Sequence, residues 1–330
     1  MSNSPYFSVI TPSWNQGRYL SSCIDSIKNQ KDSDYEHIIV DNCSTDETGA
    51  ILADYAKEHQ VKVIIEVDRG QSEAVNKGLR LAQGEIICWL NSDDAYLPET
   101  FELLRETFSD PSVDVVFGDV RQISYDGRFP ERLVAGWENR NDLVRWWNRK
   151  VKLHQPAIFF RRSVMEKVGF LREDLHYAMD YEYWWRISEH YPFHYLGKEL
   201  AIQHRQPESK TIKAWHRVLE EREQIFSSFY GLLDTKESVL RKERSQALAE
   251  QYLLLAYAAV RNDRSAAWFY LKEAFLQSPR VVLRPSSLGL VRGVFTKKEI
   301  NHKGMKERRG QKREEINHKR TQKDTKEENL

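Results

Sequence analysis

Glu85-Ile86-Ile87-Cys88-Trp89-Leu90-Asn91-Ser92-Asp93-Asp94 is the stretch on which the reading of this chain turns. A short apolar run of strand type stops abruptly at two adjacent carboxylates. In open α/β sheets, ligands bind in the crevice beyond the carboxyl ends of the strands. A buried strand that delivers Asp93 and Asp94 to that edge points to a hard divalent cation. Mg²⁺ and Mn²⁺ take carboxylate oxygens and leave positions for phosphate oxygens. The plainer alternative is a solvated Asp-Asp turn, so the surrounding pattern has to decide.

Working outward, the first ~120 residues alternate between a strand period and a helix period, as βαβ units do. Phe7 to Thr11, Glu36 to Asp41, Lys62 to Glu66, Glu85 to Leu90 and Val113 to Phe117 read as strands. Between them Tyr19 to Gln30, Thr45 to His59, Ser72 to Gln83 and Pro98 to Phe108 read as helices. The first carries Leu20, Cys23, Ile24 and Ile27 on one face, and the second turns Ile51, Leu52 and Tyr55 inward. Short apolar strands separated by amphipathic helices imply an α/β fold, a mostly parallel sheet with helices on both faces. Further on, Trp137 to Lys150 is rich in Trp and Arg, and Ala157 to Phe160 is a strand candidate. Ser163 to Val168 is a short helix ended by Gly169, and Asp180 to Tyr191 is another helix.

Residues 206–295 read as a helical extension. Leu248, Tyr252 and Leu255 recur at helical spacing, as do Trp268, Leu271 and Phe275, with Asn262-Asp263 as the break. The pair resembles one helical hairpin of tetratricopeptide type. Residues 296–330 are charged, lack aromatics and repeat Glu-Ile-Asn-His-Lys, the composition of a disordered tail or a lone charged helix. The remaining segment, 1–205, is the α/β domain.

Bulk properties exclude several classes. Net charge is +1 and gives no bias toward nucleic acid. The three cysteines, Cys23, Cys43 and Cys88, lack metal-ligand spacing, and their odd number argues against a disulfide framework. Met1 to Ser8 has no signal-peptide character, and no window reaches the roughly 20 apolar residues of a spanning helix. A cytoplasmic protein is expected, with peripheral contact at the inner membrane surface through Leu288 to Phe295 and Lys297-Lys298 as a further option.

Other polar segments fall at the same sheet edge. They are Thr11-Pro12-Ser13-Trp14-Asn15, Asp41-Asn42-Cys43-Ser44-Thr45-Asp46 and the run from Asp68 through Asn76-Lys77-Gly78; Met179-Asp180 lies further on. Each has a bland account, such as helix capping by Ser44 to Asp46 or a dipole-favoured carboxylate at Asp180. Their joint occurrence at one edge is what the bland accounts explain poorly.

In this order the motifs resemble the family 2 glycosyltransferases, inverting enzymes of GT-A fold that use nucleotide-diphosphate sugars. The resemblance covers about residues 5 to 205. It implies that Thr11, Pro12 and Asn15 line the nucleotide pocket, that Asp41 accepts from base or ribose, and that Asp68 contacts the nucleoside. Lys77 then lies near the pyrophosphate or supports its loop. Asp93 and Asp94 stand for the Asp-x-Asp pair that holds Mn²⁺ or Mg²⁺ on the diphosphate, Asp94 ligating directly and Asp93 touching ribose or metal. The first position of the strict motif is Asn91 here. Asp180 matches the catalytic base. His204 is either a third metal ligand or a histidine beside the site. His154-Gln155-Pro156 and the pair Trp184, Trp185 are candidates for sugar contact, with helix-core packing the alternative for at least one tryptophan. A UDP-sugar donor and a glycan or lipid-linked saccharide acceptor are expected, in the setting of surface polysaccharide synthesis. A nucleotidyltransferase would want a glycine-rich, arginine-bearing loop that residues 11 to 18 lack. A glycoside hydrolase would need no nucleotide pocket. A non-catalytic binding protein on the same fold is the alternative from another class.

Overall fold

The computed structural model describes residues 4–124, 130–136, 152–205, 214–229, 237–260 and 263–287. Trp137 to Lys150, the 288–298 segment and the 296–330 tail lie outside the described residues. The strands are β1 (Phe7–Ser13), β2 (Tyr35–Asp41), β3 (Val61–Ile65), β4 (Ile86–Trp89), β5 (Ala95–Tyr96), β6 (Val115–Ser124), β7 (Glu131–Leu133), β8 (Ile158–Arg161) and β9 (Phe193–Arg205). The helices around them are α1 (Gly17–Lys28), α2 (Thr48–Tyr55), α3 (Gln71–Leu81), α4 (Thr100–Phe108), α5 (Arg162–Val168), α6 (Met179–Ser188) and α7 (Trp215–Phe229).

Among the described residues the strands form one sheet in the order β3-β2-β1-β4-β8-β6-β9-β5, with β7 on β6. The run β3-β2-β1-β4 is parallel. Beyond it β8 is antiparallel to both neighbours, while β6 and β9 run parallel. Strand periodicity sorts the core into two faces. Ile10, Ile38, Val40, Ile87 and Trp89 pack with α3 and α6 residues on one side. Phe7, Val9, Ile86 and Cys88 pack with Cys23, Ile27, Phe101 and Leu104 from α1 and α4 on the other. Leu20, Ile24, Ile39, Leu52 and Tyr55 close the α1–α2 corner. Helices therefore cover both faces, and the loops that follow β1 to β4 gather at one edge.

Local chemistry explains the boundaries. α2 starts at Thr48 rather than Thr45 because Asp46 is spent on a turn, accepting from Thr48 N (3.0 Å) and Gly17 N (3.0 Å). Gly169 ends α5 with φ 81°, a left-handed position that suits glycine. β6 runs on to Ser124, past the expected end at Phe117, because β9 pairs along it.

The described chain divides into two compact units, Met1–Lys236 and Glu237–Leu330. α7 falls in the first, because its Glu221 binds the backbone ahead of α6. The second unit is a hairpin of α8 (Glu237–Ala259) and α9 (Arg264–Gln277). Asp263 caps α9 through Ser265 N and Ala266 N, both at 3.0 Å. Its seam is built on Ala249, Leu253, Ala256, Ala267, Leu271 and Ala274. Trp268 and Phe275 point outward instead, 48% and 46% exposed, because the alanine stripe brings the two helices together.

Candidate functional site

The N-terminal half of α3 is the hub of the sheet edge. Gln71 Nε2 donates to Asn91 Oδ1 (2.8 Å) beyond β4. Ser72 Oγ donates to Leu175 O (2.8 Å), and Asn76 exchanges bonds with Leu171 O and N, each at 2.9 Å. Residues 71–76 of α3 thus tie the Asp68 loop, the Asn91–Asp94 segment and the loop that leads to Asp180. Asn76 is buried and wholly occupied in this clamp.

Asn91 explains why the strict acidic motif is broken. Its Oδ1 accepts from Gln71 and from Trp89 Nε1 (3.0 Å), and its Nδ2 donates to Gln155 Oε1 (2.9 Å). Gln155 Nε2 donates in turn to Trp89 O (2.6 Å). A carbonyl can only accept and an indole N–H can only donate. The polarity of the chain is therefore fixed, and position 91 needs one acceptor and one donor. An amide supplies both; a carboxylate does not.

Asp93 and Asp94 lie two and three residues on, and Asp94 is buried. Asp94 Oδ1 accepts from His204 N at 3.2 Å. His204 Nδ1 sits 2.6 Å from Asp93 O. Since that oxygen only accepts, Nδ1 carries a proton, which leaves Nε2 as the atom a metal would take from the neutral ring. His204 lies inside β9, not after the last strand. The Tyr19 ring is 6.1 Å from the imidazole, centroid to centroid. Burial raises the pKa of Asp93, opposed by the charge of His204. Burial raises Asp94 well above the usual range, and the neighbouring Asp93 adds to it. A cation beside them would favour the ionised pair.

Two carboxylates and an imidazole are donor types that could hold a hard cation. No cluster of three His, Cys, Asp or Glu groups preformed around a single ion occurs among the described residues.

The nucleotide-side candidates form a second group. Asp41 Oδ1 and Oδ2 accept from Ser44 Oγ (2.6 Å) and Ser44 N (2.8 Å). Asn15, at φ 52°, donates its N–H to Ser44 Oγ (2.7 Å) and accepts from Thr45 N (2.8 Å). Asp68 N bonds Asn42 Oδ1 (2.9 Å), and Asp68 Oδ1 accepts from Gly70 N (2.9 Å). Burial raises the pKa of Asp68, while Lys77 lowers it. The loops after β1, β2 and β3 are thus laced together by their own motif residues.

Some expected residues support the site rather than line it. Thr11 has no exposed surface, and its hydroxyl meets His37 Nε2 at 2.9 Å. Pro12 is buried opposite Val40, past the last β1–β4 pair, Ile10 with Trp89. Lys77 Nζ reaches Val67 O (3.1 Å) and Glu66 (2.9 Å), so it braces the loop before Asp68. Trp184 and Trp185 are 2% and 1% exposed and pack in the core, not on a sugar. His154 is held near pH 4 by burial.

Asp180 stands in the first turn of α6, and its Oδ1 accepts from Tyr181 N (2.7 Å). Burial raises its pKa, and Arg222 opposes the rise. Sequence reasoning gave Gln71 no role of its own, although it lies within the Asp68–Gly78 motif, and missed Glu221 and Arg222, which no motif marks because their partners are distant in the chain.

Known proteins resemble this chain in sequence and in fold. A glycosyltransferase of PGL/p-HBAD biosynthesis from Mycobacterium bovis is 34% identical over 171 residues, 50% of this chain and 63% of that protein. The match thus spans less than two thirds of that relative. Staphylococcus aureus TarS 1-349 in complex with UDP-GlcNAc superposes with a TM-score of 0.60 at 19% identity, covering 88% of this chain and 81% of that one. The mannosyltransferase PcManGT from Pyrobaculum calidifontis, in complex with GDP-Man and Mn²⁺, gives 0.53 at 20% identity, covering 90% and 89%. These likenesses show the GT-A fold. Residues 8–169 match the family described as glycosyl transferase family 2, and through that domain the chain belongs to this family and is a glycosyltransferase.

Proposed function

We propose that the protein transfers a sugar from a nucleotide-diphosphate sugar, by preference a UDP-sugar, to a hydroxyl of a saccharide or lipid-linked saccharide, with inversion at the anomeric carbon. The observation that carries this reading is the hub at the start of α3, where Gln71, Ser72 and Asn76 tie Asn91, just ahead of Asp93–Asp94, and the loop before Asp180 to the helix that follows the Asp68 loop. Asn15, Asp41 and Asp68 would face the nucleoside. The carboxylates of Asp41 and Asp68 keep lone pairs for ribose hydroxyls or base N–H groups after the internal bonds are counted. Asp93, Asp94 and His204 Nε2 would hold Mn²⁺ or Mg²⁺. A divalent ion there supplies positive charge against the departing diphosphate, which then needs no proton.

Asp180 acts as the base. Its raised pKa makes it a stronger proton acceptor than a solvated carboxylate, and Arg222 keeps its ionised form accessible. It takes the proton of the acceptor hydroxyl as that oxygen attacks C1 opposite the leaving group. One displacement gives inversion. The reading places the reaction in the cytoplasm, with a peripheral approach to the membrane where the acceptor is lipid-linked. No described helix is long and apolar enough to cross a membrane. The glycosyltransferase of PGL/p-HBAD biosynthesis is consistent with a role in surface glycan assembly.

The test is calorimetric titration with uridine, guanosine and thymidine diphosphates, each with Mn²⁺ and with chelator, on wild type, Asp94→Ala and Asp180→Asn. Wild type binds one nucleotide in a metal-dependent way, and Asp94→Ala loses that dependence. Asp180→Asn keeps binding but loses about 10²-fold or more in nucleotide release from the matching donor. Equal affinity with and without metal would sink the metal assignment, and near-normal turnover in Asp180→Asn would sink the base.

A further inference from the structure

We infer that α7 is a positioning element for the reaction: Glu221 fixes the backbone that presents Asp180, and Arg222 sets the charge beside it. The inference rests on the reading of Asp180 as the base.

A helix start leaves backbone N–H groups without partners, and a Ser, Thr, Asp or Asn at the N-cap usually meets one of them. At α6 the N-cap is Ala178, which has no side-chain acceptor. A carboxylate from elsewhere in the chain instead takes the N–H of the N-cap residue and of the two residues before it. Glu221 Oε1 accepts from His176 N (2.8 Å), and Oε2 accepts from Tyr177 N (2.7 Å) and Ala178 N (2.8 Å). Hydrogen bonds to an ionised acceptor are about twice as strong as neutral ones. One carboxylate thus grips the three residues immediately before Met179-Asp180.

The next residue on α7 completes the arrangement. The Arg222 guanidinium lies over the Tyr181 ring, 5.7 Å from its centroid. Its charge favours ionised Asp180, whereas Glu221 disfavours it, and among the described residues these are the leading charged side chains acting on Asp180. Arg222 is itself withdrawn from solvent, enough for burial to lower its pKa, so its field is weakly screened. The loop is held at its other end by α3, through Leu175 O and Leu171. It therefore runs between a clamp from the donor side and a clamp from α7. Neither Glu221 nor Arg222 touches substrate in this account; both act through Asp180.

The experiment uses the full chain, with Asp180→Asn as reference and water as acceptor, so that nucleotide release from the donor reports turnover. Circular dichroism confirms folding. The Asp180 carboxyl is titrated by carbon NMR, assigned by its loss in Asp180→Asn. Glu221→Ala is expected to lower kcat by about tenfold to a hundredfold, as a displaced reacting group does, with donor KM nearly unchanged. Glu221→Gln keeps one acceptor oxygen but sets its amide N–H₂ against a backbone donor, so it loses activity too, though less than Glu221→Ala, and it lowers the pKa of Asp180. Arg222→Met raises that pKa and moves the acid limb of the kcat profile to higher pH. Opposite movements in these two variants are what a purely structural α7 would not give. A folded Glu221→Ala with wild-type kcat, or an Asp180 titration that stays put in both charge variants, overturns the inference while an inactive Asp180→Asn leaves the base in place. Full turnover in Asp180→Asn removes the base reading first, and the inference with it.

Discussion

Asn91→Asp exchanges one atom for another of nearly the same size, so its effect isolates the polarity of the network. In the wild type, Nδ2 of Asn91 donates to Gln155 Oε1 at 2.9 Å. The aspartate would set two oxygens against each other there. Turning the Gln155 amide over does not help, because its Nε2 would then leave Trp89 O, 2.6 Å away, facing an oxygen instead. The lost bond leaves a buried acceptor without a donor, which costs about 1–3 kcal/mol. Taking about 2 kcal/mol and about 2–4 °C per kcal/mol for a unit of this size, Tm falls by about 4–8 °C at neutral pH. A protonated aspartic acid, however, can donate as the amide does. The folded state then holds that proton more tightly than the unfolded chain. At 1.36 kcal/mol per pH unit, the carboxyl of residue 91 titrates about 1.5 units above the ordinary 3.9, near 5.4. A group raised in the folded state contributes below its unfolded value and loses that contribution as pH rises through its folded value. The deficit against wild type is therefore small at about pH 4 and full above about pH 6. Thermal unfolding of both proteins at matched pH measures it. A deficit that is the same at both ends, or no deficit at neutral pH, would refute the fixed polarity of the network.

Two further predictions concern stability. Burial lowers the pKa of His37 to about 3, so the unfolded chain binds a proton that the folded chain refuses, and stability falls as pH drops below about 6.5. Between pH 7.5 and 5, wild type should lose about 2 kcal/mol relative to His37→Gln, which carries no such proton; urea unfolding at the two pH values checks this, and a constant difference contradicts it. Gly118→Ala would place its Cβ 2.5 Å from Leu200 Cδ1 and 2.7 Å from the backbone oxygen of Lys198, which no rotamer relieves. It should cost about 1–3 kcal/mol, whereas Gly49→Ala in α2, with nothing within 4 Å, should be neutral or stabilising by up to about 1 kcal/mol. Equal midpoints for the two alanine variants would show that the close approach at Gly118 is not a constraint.

The parallel half of the sheet is legible in the sequence because each of its elements carries its own period. The four residues expected on one face of α1, Leu20, Cys23, Ile24 and Ile27, are the hydrophobic ones buried there. The other half is not legible in the same way. β8 lies between β4 and β6, and β9 pairs in parallel with β6 across a long stretch of chain. Periodicity inside a strand says nothing about such partners. β5 is two residues long, too short to show a period. The same division runs through the site. Asp93, Asp94 and Asp180 stand out because carboxylates at a strand end or a helix start are chemically conspicuous. Trp184 and Trp185 are conspicuous too and mislead, because α6 buries adjacent residues and leaves little outward face. Glu221 gives no sign at all. Its partners are backbone N–H groups 43 to 45 residues earlier, and every residue but proline offers such a group. A ligating residue is marked by its side-chain type, while a positioning residue is marked only by the partner the fold brings to it. The motifs therefore locate the chemistry at the edge of β4 and at the start of α6, but the rigidity that chemistry requires depends on residues visible only after folding.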